Sequence, residues 1–122
     1  MQPSELWRRG VVLPHSRRVV QQINDWGVDG STAVDFLPIA DAALFERLWD
    51  IGLFAAINQA CGTLIDDFEA AWLPPETLPA AATVVERFLK MNSGGDVGDF
   101  LHRLSALIDR AAEAKMPLYF QC

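Results

Sequence analysis

Residues 53–72, LFAAINQACGTLIDDFEAAW, are the most apolar long run in the chain, and the run holds three clustered acidic residues, Asp66, Asp67 and Glu69. The spacing in this run is helical. Leu53, Phe54, Ile57 and Cys61 fall at i, i+1, i+4 and i+8. Beyond Gly62, the residues Leu64, Ile65, Phe68, Ala71 and Trp72 fall at i, i+1, i+4, i+7 and i+8. Each set draws one apolar stripe on a period of about 3.6 residues. A hydroxyl at Thr63 can cap the second segment, placing Asp66 and Asp67 in a first turn, where the helix dipole favours carboxylates. Phe68 is then expected on the buried stripe with Leu64, Ile65 and Trp72. The opening LFAAIN also fits a short buried strand, because a short apolar run does not settle its own type.

The flanking segments read as supports for this run. Ser16 predicts an N-cap for a helix over 17–26, with Val19, Val20, Ile23 and Trp26 on its stripe and Gly27 at its end. Asp41 predicts a helix over 42–51, carrying Leu44, Phe45, Leu48 and Ile51 inward and Trp49 at the edge of the stripe. After the Pro74–Pro75 break, Thr77 starts a helix with Leu78, Ala81, Ala82, Val85, Phe88 and Leu89 on one face. Asp96 caps the strongest helix, over 97–114, where Phe100, Leu101, Leu104, Leu107, Ile108, Ala111 and Ala112 recur at three and four. Residues 1–14 read as a short helical turn followed by an extended piece ending at Pro14. Residues 32–37 and 118–120 have strand composition and are expected to pair with each other. The expected fold is mainly α: one globular domain over 1–122, a compact bundle of about five or six helices with at most a small two-stranded β element.

Composition narrows the function classes. A hydrophobic content of 51% with four Trp argues against disorder. No apolar run reaches the roughly 18 residues that a membrane-spanning helix needs, and the first residues lack the pattern of a secretory signal. Two cysteines, Cys61 and Cys122, make a poor disulfide framework and suit a reducing cytoplasm. The net charge of −6 is unevenly spread. Residues 1–18 carry four Arg against Glu5, giving +3, residues 19–76 carry Arg47 against ten carboxylates, giving −9, and residues 77–122 balance five against five. Phosphate binding needs a basic footprint, so nucleic acid is not an expected partner. The acidic block suits a basic protein partner.

No complete catalytic set is legible. Asp66 and Glu69 lie three apart and could both reach one cation, with Glu46 and Asp50 as the only comparable pair for a neighbouring helix. A metal-dependent hydrolase would also need a basic group for phosphate. The dipole explanation accounts for the carboxylates without a metal. His15 and His102 have no sequence-adjacent nucleophile or orienting group. Cys61 lacks an activating motif, and no serine stands in a G-x-S-x-G context. No phosphate-cradling glycine motif is present. No catalytic residue, metal ligand or cofactor is therefore assigned.

The series Trp49-x-x-Gly52-Leu53-Phe54-x-x-Ile57-Asn58, followed by Ile65-Asp66-Asp67-Phe68-Glu69, resembles a pattern in small uncharacterised bacterial proteins, some of which accompany polymorphic toxins as immunity partners. It covers about twenty of the 122 residues. The resemblance implies a non-enzymatic, partner-binding role and assigns no functional residue. Residues and resemblance lead to the same expectation: an acidic protein-binding module of inhibitor or immunity type. Asp66, Asp67 and Glu69 would steer association, and Trp49 and Trp72 would supply contact area. The alternatives are the metal-dependent hydrolase and a structural homodimer paired through exposed stripe edges.

Overall fold

The computed structural model describes residues 9–27, 32–39, 41–63, 65 and 71–121. The elements run β1 (Gly10–Pro14), α1 (Arg17–Trp26), β2 (Val34–Pro38), α2 (Ala42–Asp50), α3 (Leu53–Cys61), β3 (Ala71–Leu73), a 3-10 turn (Pro75–Thr77), α4 (Leu78–Met91), α5 (Gly95–Ala114) and β4 (Leu118–Gln121).

The helices follow their local signals. Ser16 Oγ accepts from the Val19 N–H at the start of α1, and Asp41 Oδ1 accepts from the Leu44 N–H at 2.8 Å at the start of α2. Gly52 and Gly62 bracket α3, and both adopt the left-handed backbone, with φ of 89° and 69°. Such turns are cheap for glycine and strained for other residues. Gly52 separates α2 from α3, and Gly62 ends α3. Residues 53–58 are thus helix, not strand. Thr77 precedes α4, although its hydroxyl donates to the Pro74 carbonyl instead of capping the helix. The last helix starts slightly earlier than expected: Gly94 occupies the N-cap and Asp96 lies in the first turn.

The sheet corrects the expected fold class. Four antiparallel strands lie in the order β2-β1-β4-β3, so the architecture is mixed α/β, not a helical bundle with a two-stranded element. Residues 32–37 and 118–120 do not pair with each other. The segment β1 lies between them, with Val12 opposite Phe36 on one side and Tyr119 on the other. The fourth strand comes from the end of the run 53–72, where Trp72 pairs with Tyr119 and Leu73 with Leu118. The helix expected from Thr63 through Trp72 is therefore broken at its C-terminal end, and Thr63 and Ile65 are non-helical as well. Leu64, Asp66, Asp67, Phe68 and Glu69 lie outside the described residues.

The physical reason for the miss is long-range pairing. The GVVLP sequence of β1 is buried at all five positions. A central strand covered on both faces shows a continuous apolar run with no alternation to reveal it. At Ala71 and Trp72 the helical period continued in the sequence, but ladder bonds to β4 outweigh that local preference.

The two sheet faces are covered differently. Val11, Leu13, Leu37, Leu73, Leu118 and Phe120 point to the side packed by α2, α3, α4 and α5, and they join the principal core. Val12, Val34, Phe36, Trp72 and Tyr119 point to the other side, where α1 contributes Val19 and Ile23. Gly10 is held free of a side chain by its neighbours: a Cβ there would come within 2.5 Å of the Leu37 carbonyl oxygen and 2.6 Å of the Phe36 ring.

Candidate functional site

Of the residues expected to bind a partner, Asp66, Asp67 and Glu69 lie outside the described residues. Trp49 and Trp72 belong to different hydrophobic clusters on opposite faces of the sheet.

Trp72 is half-buried on β3. Its Nε1 donates to Asn24 Oδ1 of α1 at 2.9 Å, and its ring centroid lies 4.7 Å from that of Tyr119. It ties α1 to the outer face of the sheet, so its indole already has a polar partner and a packing partner. Burial also pushes the Tyr119 phenol pKa up.

Trp49 sits in a different setting. Capped by Asp41, α2 turns Leu44, Phe45 and Leu48 inward and leaves Ala42, Glu46 and Asp50 exposed. Trp49 lies between these faces. Its ring meets Phe45 edge-on at 6.3 Å and Phe54 at 5.2 Å. The Arg9 guanidinium, just before β1, lies 4.0 Å from the Phe45 ring centroid, within cation–π range. Arg9, Ala42, Phe45, Glu46, Trp49 and Asp50 line a groove of about 540 Å³. Trp49 Nε1 is the one buried side-chain polar atom without a hydrogen-bond partner among the described residues. An ion pair between Arg47 and Asp96 fixes α2 to the first turn of α5. The groove wall is therefore mounted on a helix held from both sides, by its core stripe and by this pair.

Of the remaining candidates, His15 and Cys61 have structural partners. His15 Nε2 lies 3.1 Å from Asp35 Oδ1, and Arg110 donates to Asp35 Oδ2 at 3.0 Å. Asp35 thereby connects the end of β1 to α5. Cys61 is half-buried, and its Sγ donates to the Thr77 carbonyl at 3.6 Å. Burial pushes its thiol pKa up, against the smaller effect of its hydrogen bond with Thr77. His102 is exposed on α5. Among the described residues no group of three or more His, Cys, Asp or Glu could hold a metal ion. No helix among them is long and apolar enough to cross a membrane.

Two residues gain a role that was not legible in the sequence. Asn58 bridges the end of α3 to the following chain: its Oδ1 accepts from the Ile65 N–H at 2.7 Å and from the Thr63 hydroxyl at 2.9 Å, while its Nδ2 donates to the Ile65 carbonyl at 2.9 Å. The side-chain amide thus pairs Ile65 as a neighbouring strand would. An asparagine shortly before a helix-ending glycine was the available signal. Arg9 counted in the sequence only as part of a basic N-terminal segment, and nothing in its spacing pointed to Phe45.

No family model, curated protein or solved structure matches the chain.

Proposed function

We propose that this chain is an acidic protein-binding module of inhibitor or immunity type, acting in the cytoplasm by covering a basic surface on a partner protein. The observation that carries the reading is the charge division: residues 19–76 hold ten carboxylates against Arg47 alone. Complementary charge of this kind speeds encounter and selects partners. Within the block, Glu46 and Asp50 stand on the exposed face of α2 beside the half-buried Trp49, a residue type enriched at binding hot spots. The resemblance of the series beginning at Trp49 to immunity-type proteins supports the same class.

Co-purification of the tagged chain from its native host at low salt tests the proposal. The expected result is one retained protein with a basic surface, released as ionic strength rises and charge attraction is screened. Recovery of no protein at low salt, or of a partner whose retention is indifferent to salt, would sink it.

A further inference from the structure

We infer that the α2 groove is a docking site for an arginine side chain presented by a basic partner protein. The inference rests on the partner-binding reading above and gives it a location and a recognised group.

The charges in the groove are unbalanced. It holds the carboxylates of Glu46 and Asp50 against the single guanidinium of Arg9. Among the other described acids of the block, Asp25 accepts from Gln21, Asp35 from Arg110 and from His15 in its donor tautomer, and Asp41 from the Leu44 N–H. Glu46 and Asp50 make no hydrogen bond or ion pair with a described residue. Glu76 shares that condition, but it borders no aromatic groove. Glu46 and Asp50 are four apart on one helix, so their carboxylates project on the same side. Half-buried Trp49 lines the same groove, and an indole is the aromatic ring that attracts a cation best.

Arginine suits this arrangement better than lysine. Its guanidinium is planar, weakly hydrated, able to stack on a ring and able to meet carboxylates with a fork of donors. The protein already makes one such contact at the groove wall, where Arg9 lies over Phe45 at 4.0 Å. With Arg9 occupied in this way, the open carboxylates face the space next to Trp49. A volume of about 540 Å³ accommodates one long side chain and its flanking backbone.

The test is an NMR titration of the full chain with the blocked peptide acetyl-Arg-Leu-Arg-amide, compared with its lysine counterpart. The Trp49 indole N–H and the backbone amides of residues 46–50 should move, and the lysine peptide should bind more weakly. The double variant Glu46→Gln/Asp50→Asn should keep its melting temperature and lose about tenfold or more in affinity at low salt. Unchanged affinity in the double variant would overturn the inference, as would absence of any shift at millimolar peptide. Shifts confined to residues away from α2 would also overturn it. Co-purification of a salt-released basic partner would still support the wider reading in those cases, so the two failures are distinguishable.

Discussion

The two faces of the sheet are built from the same strands and finished in different ways. The inner face meets four helices, and its residues Val11, Leu73, Leu118 and Phe120 are fully buried. The outer face meets the ten-residue α1. A helix of that length spans about 15 Å. It buries Val12, Val19 and Ile23, but Val34, Phe36, Trp72 and Tyr119 remain half-buried around it. At the end of α1 Trp26 stands 82% exposed. Burial, and not residue type, therefore separates the aromatic residues of this protein into structural and surface groups. The inner face should hold most of the stability, and the outer face should be held by a few specific contacts.

The largest expected effect breaks the inner face. Phe120→Ala removes a fully buried ring from the central pair of strands and should cost about 3–5 kcal/mol in urea unfolding. A cost comparable to that of an exposed residue would show that the inner face is not the closed core described. Trp72→Phe sharpens the contrast on the outer side. It keeps an aromatic ring near Tyr119 and deletes the hydrogen bond to Asn24, so a loss of about 1 kcal/mol is expected. If Trp72→Phe destabilises as much as Phe120→Ala, the two faces are equally built and the comparison fails.

A pH experiment addresses the same outer face. Tyr119 is the only tyrosine, so its phenolate absorbance can be followed without overlap from another phenol. Burial raises its pKa above the ordinary 10.0 because the charged phenolate is disfavoured there. The folded state thus keeps the proton longer than the unfolded chain. Its contribution to stability is intact below the unfolded value of 10.0 and is lost as pH rises through the raised folded value. Alkaline urea melts should show a decline that is shallower in Tyr119→Phe, and a parent phenol titrating at its ordinary value would contradict the burial. The smallest effect belongs to Trp26→Ala, which should change stability by no more than about 0.5 kcal/mol. A larger loss in its thermal melt would mean that Trp26 packs against more than α1.

Helices were legible because their signals are local. Ser16 and Asp41 cap where capping residues are expected, and Gly62 ends α3 in the left-handed backbone. The sheet was not legible, because each strand depends on a distant partner. The β1 residues show no alternation, and Ala71 and Trp72 continue a helical period until β4 supplies a ladder. Of the site, the sequence pointed to Trp49 and named Glu46 and Asp50 for a different chemistry. It could not show that Arg9 lies on Phe45, a contact created when the segment before β1 passes α2. Trp72 was read as a contact residue, whereas its bond to Asn24 makes it a clamp between α1 and the sheet.

The strand order has a consequence for how the chain folds. The first described strand and the last one are adjacent at the middle of the sheet, with Gly10 opposite Gln121. The central pairing of the sheet therefore joins segments almost the whole described length apart, and closing so long a loop slows folding relative to a helical bundle. During synthesis β1 leaves the ribosome long before β4 exists. Until then its apolar residues have only β2 as a strand neighbour, and one long edge stays open. The helices can form while the chain is still growing, but the sheet that orders them is completed only once β4 has been made.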